Sequence, residues 1–473
     1  MDDGSEVATA PAIPAPRAPE PFALPESGAP PLPPAGDVPA AAPARRWSDR
    51  VPRRGGSLLF VLLLVSGVAL VVLGARGLQP ATPAAGSPPF AAGRRPATPY
   101  DGAVATLQAQ SAALLRGDER GFLAAVDSGL RTRYRDMFRS LRALGVTRFD
   151  YLAGDASPVP GDPAGVSFRV DLRYCFGAHM CPEQSADAWA EPPHIAQTLT
   201  FRRAAGRYVI GKVATGPSPD PRQPTPWESG RLVVAEGRRV TLLAAPGQAG
   251  YLARVLPAAE AAAGVADRFA ALYGTPQRRY RIYLAGEQQW KVWYQGELDR
   301  WAIGVAVPLN KYGLDVMLRV SETGDPSILR VSLQHELGHV VTLDGAAMRH
   351  DAGENAWLIE GIAEYVGWWP RGAAQSYRLP SVRAALRGPD APTTMVRTMP
   401  GAGSSEQSGD AFYGLAHFAM DCMARRYGQA RLLDFVRRVL AGGMSYDQAA
   451  TAAYGVPFAA VDGACATWLR RQV

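Results

Sequence analysis

Two histidines one helical turn apart constrain this chain more than any other feature of its sequence. Residues 331–342, VSLQHELGHVVT, contain His335 and His339, two of only six histidines in the chain. A helix is predicted to start shortly before them, because Asp325 is a good N-cap and Pro326 suits the first helical position. At this spacing both imidazoles share one face of the helix and can reach a single ion. The pattern therefore favours a metal-binding helix over a pair of surface histidines.

A second predicted helix offers a third ligand. Residues 357–369, WLIEGIAEYVGWW, place Glu360 and Glu364 one turn apart among apolar side chains. A buried carboxylate needs a partner such as a metal ion, and a catalytic zinc site typically has three protein ligands and one open position. We therefore expect His335, His339 and one of these two carboxylates to bind one ion. The alternative is an amphipathic helix whose carboxylates are solvated.

These two segments resemble the gluzincin zinc peptidases of the peptidase MA clan. Residues 335–339 match their H-E-x-x-H pattern, and residues 357–365 match W-L-x-E-G-x-A-x-Y. The resemblance implies that Glu360 is the third metal ligand and that Glu364 orients a ligand histidine. The expected cofactor is Zn²⁺, because two neutral imidazoles and one carboxylate suit this ion.

The resemblance also implies a reaction, the hydrolysis of peptide bonds. Glu336 would be the general base that acts on a metal-activated water. Gluzincin aminopeptidases stabilise the oxyanion with a tyrosine at the start of a later helix. Tyr413 matches that position, with His417 as the alternative and a plain core tyrosine as a further one. No G-x-M-E-N segment precedes Asp325, so an endopeptidase is expected, with residues 301–310 as an edge strand that binds peptide by strand addition.

The N-terminal region predicts a membrane anchor. Residues 1–56 are rich in Pro and Ala and are expected to form a disordered cytoplasmic tail. Residues 57–74, SLLFVLLLVSGVALVVLG, contain no charge and have about the length of a transmembrane helix. A buried core helix and a cleaved signal peptide are the alternatives. Five arginines precede this segment closely and only Arg76 follows it closely, which predicts a single-pass cell-membrane protein with its body outside the cytoplasm.

The net charge of +7 does not indicate a nucleic-acid partner. Several of the arginines are the topology signals just described, and no basic stripe is interleaved with aromatic residues. The expected partners are a peptide or protein substrate and, through one N-terminal span, the membrane.

The rest of the chain divides into two predicted domains of α+β class. Residues 75–98 form a Pro/Ala/Gly linker. Residues 99–215 predict helices followed by antiparallel strands and resemble the cone-shaped NTF2-like superfamily, which implies a ligand or an envelope partner in the cone. His194 is a candidate for lining that site, and a structural or surface histidine is the alternative. After a Pro-rich linker, 216–230, residues 231–473 are expected to form the gluzincin domain, with a small sheet, the active-site helices and a helical C-terminal part.

The four cysteines agree with a body outside the cytoplasm, where disulfides persist. Cys175 and Cys181 flank a short loop, and Cys422 and Cys465 lie in the C-terminal helical region. Two disulfides are therefore expected. The alternative at the first pair is a zinc site that also uses His179.

Two other functions fit part of this pattern. One is a non-catalytic, zinc-containing binding or scaffold protein of the cell envelope, and the other is a zinc hydrolase that acts on non-peptide amides or esters. Glu336 argues against the scaffold function, because a structural metal site does not require a base beside the ion.

Overall fold

The structure, a computed structural model, describes residues 98–182, 187–214, 223–295, 302–346, 352–389, 391–401 and 403–473. The predicted tail and membrane span, nearly all of the first linker and part of the second lie outside these residues. No helix in the described part of the chain is both long enough and apolar enough to cross a bilayer. Helices and strands are combined as predicted, so the α+β class is confirmed.

Three helices followed by a four-stranded sheet open the described chain. The elements are α1 (Pro99–Arg116), α2 (Glu119–Ala124), α3 (Arg131–Ala143), β1 (Arg148–Val159), β2 (Asp162–Cys175), β3 (His194–Ala204) and β4 (Arg207–Ala214). Thr98 starts α1 with a capping box to Asp101, and Gly117 ends it in the left-handed conformation, at φ 79°. The four strands pair in chain order and are all antiparallel.

Aromatic side chains join these helices to the sheet. The ring of Phe122 in α2 lies 5.4 Å from that of Phe138 in α3 and 6.3 Å from that of Phe149 in β1. Phe168 and Phe201, on neighbouring strands, stack with their ring centroids 5.2 Å apart. All five rings are buried, and such large apolar side chains contribute strongly to core stability.

A second sheet has five strands in the order β5-β6-β7-β9-β8. The elements of this region are β5 (Val233–Glu236), β6 (Val240–Ala244), α4 (Leu252–Tyr273), β7 (Tyr280–Ala285), α5 (Glu287–Val292), β8 (Gly304–Asn310) and β9 (Gly313–Arg319). The three central strands are parallel, and α4 provides the crossover between β6 and β7. The outer strands β5 and β8 are antiparallel to their neighbours. β8 thus lies at an edge, within the residues for which the sequence predicts an edge strand.

Both faces of the three central strands of this second sheet are buried. Successive residues of β7 point to opposite faces, so Ile282 and Leu284 join the core that contains α4, while Tyr283 joins the core of the first sheet. A buried ion pair lies between the two sheets, where Arg281 Nε donates to Asp315 Oδ1 at 2.6 Å. The first α+β region therefore shares a hydrophobic core with the second.

The turn between β8 and β9 contacts two other regions of the chain. The backbone N–H of Lys311 donates to Trp189 O at 2.9 Å, and Lys311 O accepts from the N–H of Gly345 at 2.8 Å. The Asn310 side chain donates to Met180 O at 2.6 Å. The first region, the edge hairpin and the segment around Gly345 are thus bonded at one point.

The remaining described elements are helices: α6 (Pro326–Leu343), α7 (Ala352–Trp368), α8 (Leu379–Arg387), α9 (Glu406–Tyr427), α10 (Gln429–Leu440), α11 (Tyr446–Tyr454) and α12 (Phe458–Gln472). α6 begins as predicted, since Asp325 accepts hydrogen bonds from the backbone of Ser327 and Ile328. α7 begins at Ala352 and not at Trp357, because its first turn is polar and so lies outside the apolar pattern.

Both predicted disulfides are present. Cys175 pairs with Cys181, and Cys422 pairs with Cys465, which joins α9 to α12. Because the first pair is bonded to itself, it offers no thiolate for the alternative zinc site with His179.

Candidate metal centre

The helices α6 and α7 pack closely at a glycine. A Cβ atom at Gly338 would lie only 3.1 Å from the Cβ of Val366 in α7, so a larger residue would push the helices apart. This contact lies between the two histidines of α6 and directs them toward α7. His335 and His339 are 9% and 6% exposed.

Three donor atoms of these helices converge. His335 Nε2 and His339 Nε2 are 3.1 Å apart, and Glu360 Oε2 lies 3.3 Å from each of them. The structure thus brings together the three side chains that the sequence predicts as metal ligands, and this group could hold a metal ion.

The spacing of the donor atoms fits a small tetrahedral ion. With metal–ligand distances of about 2.0–2.1 Å, neighbouring ligand atoms of a tetrahedron lie roughly 3.3–3.4 Å apart. The observed separations, 3.1 to 3.3 Å, are close to this value. Three protein ligands would fill three corners and leave the fourth open.

Glu364 lies behind the first ligand. Nδ1 of His335 donates to Glu364 Oε1 at 3.2 Å, which leaves the Nε2 lone pair directed at the centre. Burial alone would raise the pKa of Glu364, but the charge of Arg378 and the hydrogen bond from His335 lower it to about 2. Glu364 is therefore a carboxylate at neutral pH and takes the position expected of a residue that orients a ligand.

The charges at the centre favour a bound cation. Burial disfavours the charged form of His335, yet its hydrogen bonds with Glu360 and Glu364 raise its pKa to about 10. Burial would also raise the pKa of Glu360, but the neighbouring His339 and His335 lower it. These side chains stabilise a positive charge between them, which is either a proton or a metal ion.

No protein-family model matches this chain, and neither does any curated protein. The chemistry of the centre therefore follows from the positions of its own side chains.

Glu336 faces the same cavity as the ligands. Its side chain is 5% exposed, and burial raises its pKa. Oε2 is buried and has no hydrogen-bond partner among the described residues, so it is an unsatisfied acceptor beside the three donor atoms. On the other side, a Cβ atom at Gly304 of β8 would lie 2.4 Å from Oε1. Only glycine at this position leaves room for the carboxylate.

Tyr413 lies in the cavity and His417 does not. The Tyr413 ring is 6.1 Å from that of His335, and burial raises the pKa of its phenol well above the usual value. His417 is fully buried and is absent from the cavity lining; its Nε2 is 3.8 Å from Asp421 Oδ1. Of the two candidates for an oxyanion donor, the geometry favours Tyr413.

Arg378 is a site residue that the sequence does not predict. Its Nε lies 3.4 Å from Glu364 Oε2, it forms an ion pair with Asp410, and its guanidinium lies 4.8 Å from the centre of the Tyr413 ring. It thus links the carboxylate behind His335 to the candidate oxyanion donor. No motif or periodicity marks this arginine, which follows Glu364 by fourteen residues, so the sequence offers no signal for its role.

The centre opens into a cavity of about 540 Å³. Residues 302–306, which are the start of β8 and the two residues before it, form one wall, and the outer edge of β8 has no partner among the strands that the structure describes. α9 contributes another wall, which includes Tyr413. His194, which the sequence predicts as a candidate for lining a site in the first domain, is the first residue of β3 and has an exposed side chain. It is not among the residues that line this cavity.

Proposed function

We propose that this protein is a zinc-dependent endopeptidase of the gluzincin type. The observation that carries the proposal is the convergence of two imidazole nitrogens and one carboxylate oxygen beside the buried carboxylate of Glu336. This donor set suits Zn²⁺ and leaves a coordination position open, whereas structural zinc sites are usually closed by four protein ligands. The open position faces a cavity, as a catalytic site requires.

Each neighbouring side chain has a role in this proposal. Bound zinc would acidify a water and polarise the peptide carbonyl. Glu336 accepts the proton of the attacking water and returns it to the leaving amine. Tyr413 donates a hydrogen bond to the carbonyl oxygen as negative charge develops there. Glu364 fixes the tautomer of His335, and Arg378 keeps Glu364 ionised and in place.

The edge of β8 supports a peptide as the substrate. Its backbone N–H and C=O groups border the cavity along residues 302–306 and offer strand addition to an extended chain. Pro308, further along the same strand, cannot donate and is tolerated because β8 is an edge strand. An extended segment bound here would pass beside Glu336.

We further propose the location and the domain identity that the sequence predicts. Two disulfides support a body outside the cytoplasm, where residues 57–74 would anchor it to the cell membrane. The order of helices and antiparallel strands supports an NTF2-like fold for residues 99–215. The mixed sheet followed by helices supports a gluzincin domain in residues 231–473.

Glu336→Ala tests the proposed reaction. The ligands remain in this variant, so it should retain about one zinc per chain but lose peptide hydrolysis by about a thousandfold or more, since the general base is gone. Metal content is measured by mass spectrometry and hydrolysis on a broad peptide library, with chelator-treated wild type as a control that zinc should reactivate. If both proteins bind zinc and neither cleaves any peptide, the result favours a non-catalytic binding or scaffold function. If cleavage is confined to non-peptide amides or esters, the protein is a different zinc hydrolase.

A further inference from the structure

One face of α9 contributes three polar side chains to the cavity wall. Glu406, Asp410 and Tyr413 are spaced at i, i+4 and i+7, so they share a face of the helix, and all three line the cavity. Only Tyr413 has a role in the proposed reaction. The two acidic residues lie at increasing distance from it along the helix.

The two acidic side chains differ in their partners. Asp410 forms an ion pair with Arg378. Glu406 is exposed, and its carboxylate has no hydrogen bond or ion pair with any described residue. Glu406 is therefore free to bind a cation from outside the protein, whereas Asp410 is already neutralised.

The lining as a whole is acidic, although the chain is basic. Six carboxylates and one guanidinium line the cavity, so the lining stays negative even with a divalent cation bound. The whole chain, in contrast, has a formal net charge of +7. A cleft that is lined by charges of one sign and has low-dielectric walls raises the local concentration of ligands of the opposite charge.

The helix geometry sets the distance from the reaction to Glu406. Seven residues separate it from Tyr413, which corresponds to about 10 Å along the helix axis. An extended peptide advances about 3.3 Å per residue, so roughly three residues cover this distance. Tyr377 lies in the same lining with 44% of its surface exposed, and it offers an apolar surface for the methylene stem of a long basic side chain.

We propose that the substrate is a cationic peptide and that Glu406 binds a Lys or Arg side chain located two or three residues from the scissile bond. The proposal rests on the peptidase function proposed above. It makes Glu406 a specificity-determining residue and assigns no part of the reaction itself to it.

The test moves this carboxylate off the cavity face at constant net charge. In the double variant Glu406→Gln, Gln407→Glu, the charge stays in the first turn of α9, where it favours the helix, but it moves to an exposed position outside the cavity lining. Fluorogenic peptides with Lys, Gln or Glu scanned over three positions on each side of the cleavage point are the substrates. Wild type should prefer Lys over Glu by about threefold to fivefold in kcat/KM at one position, less at high salt. The double variant should lose this preference, and Gln407→Glu alone should keep it.

Binding of the same peptides to the Glu336→Ala protein, measured by fluorescence anisotropy, separates this inference from the proposed function. Suppose that wild type cleaves no peptide, but the Glu336→Ala protein binds the Lys peptide more tightly than the Glu peptide. If this difference disappears when the Glu406→Gln, Gln407→Glu pair is added, the peptidase function is wrong and the cationic ligand is still supported. Equal binding of both peptides, no binding of either, or a Lys preference that survives in the double variant overturns the inference.

Discussion

His335 donates to Glu364, and Glu364 in turn lies against Arg378, which also contacts Tyr413 and Asp410. This chain of contacts starts at a buried ligand and a buried carboxylate, His335 and Glu364, and continues to partly buried residues of the cavity wall. At the scale of residues, the metal affinity of the centre should therefore depend on side chains that do not touch the ion. Partners of this kind typically change metal affinity by about tenfold to a hundredfold.

Glu364→Gln should weaken zinc binding by about tenfold to a hundredfold while the fold persists. The amide can still accept from His335 Nδ1, but it has no charge to balance Arg378, which then has only Asp410 as an ion-pair partner among the described residues. Competition with a chromogenic chelator gives the affinity. Glu354→Gln, on the exposed first turn of the same helix, is the control and should bind zinc as wild type does. Equal affinities of both variants would contradict the role of Glu364.

Asp344, at the C-terminal end of α6, should make stability depend on pH. Burial raises its pKa to about 6, despite a hydrogen bond from Gln277. Since the folded protein binds this proton more tightly than the unfolded chain does, the contribution of Asp344 to stability is fully present below about pH 4 and is lost as the pH rises through 6. Asp344→Asn should therefore raise the free energy of unfolding by roughly 1–2 kcal/mol at pH 7.5 and change little at pH 4. Urea denaturation at both pH values measures this, and a variant less stable at pH 7.5 would refute it.

The ligands themselves could be predicted from the sequence, because both motifs are local. The spacing of His335 and His339 alone places them on one face of a helix. Glu360 lies in the next helix, in the segment that matches the second gluzincin pattern. Arg378 and Gly304 could not be predicted, since each reaches the centre from an element whose position depends on tertiary packing. Local periodicity contains no information about such approaches.

At the scale of elements, the edge strand β8 lies against α6 without space for a side chain at Gly304. The strand thus sets the position of Glu336 as well as one wall of the cavity. Sequence pattern predicts both elements, but the close contact between them becomes visible only in the folded structure.

Gly304→Ala should impair hydrolysis without removing the metal. The new methyl group would displace the Glu336 carboxylate, and a misplaced catalytic group of this kind lowers the rate by about tenfold to a hundredfold. Zinc content should stay near one per chain, since all three proposed ligands remain and the nearest atoms to the added methyl group belong to Glu336. Gly264→Ala is a matched control on α4, where the added Cβ meets no atom within 4 Å. A fully active Gly304→Ala enzyme would show that the contact does not position the base.

At the scale of the whole molecule, the five-stranded sheet lies between two cores and belongs to both. The sequence predicts two domains separated by a Pro-rich linker, and it gives no sign that they share a core. Tyr283 and Met317 face the core of the first sheet, while their neighbours along each strand face the other core. Because these strands are apolar at nearly every position, their sequences do not show which element covers each face.

The full-length protein should unfold in a single transition that includes both regions, because neither can lose its core without exposing the shared sheet. Asp315→Asn should lower the free energy of unfolding by about 3 kcal/mol or more, since it leaves Arg281 buried without its counter-charge. Asp434→Asn, in an exposed ion pair, should cost less than about 1 kcal/mol. Calorimetry with denaturant titration measures both. Two separate transitions, with Asp315→Asn affecting only one, would contradict a shared core.

The hydrogen bonds of Lys311 to Trp189 and Gly345 have a consequence for access to the cavity. A hinge motion between the two regions would have to displace the edge hairpin and the residues just after α6 at the same time. These bonds therefore oppose a motion of the two regions that would widen the opening. For the proposed peptidase, an opening of fixed width would admit an unstructured stretch of polypeptide more readily than a folded surface, so accessible tails and loops are the cleavage sites to examine in a protein substrate.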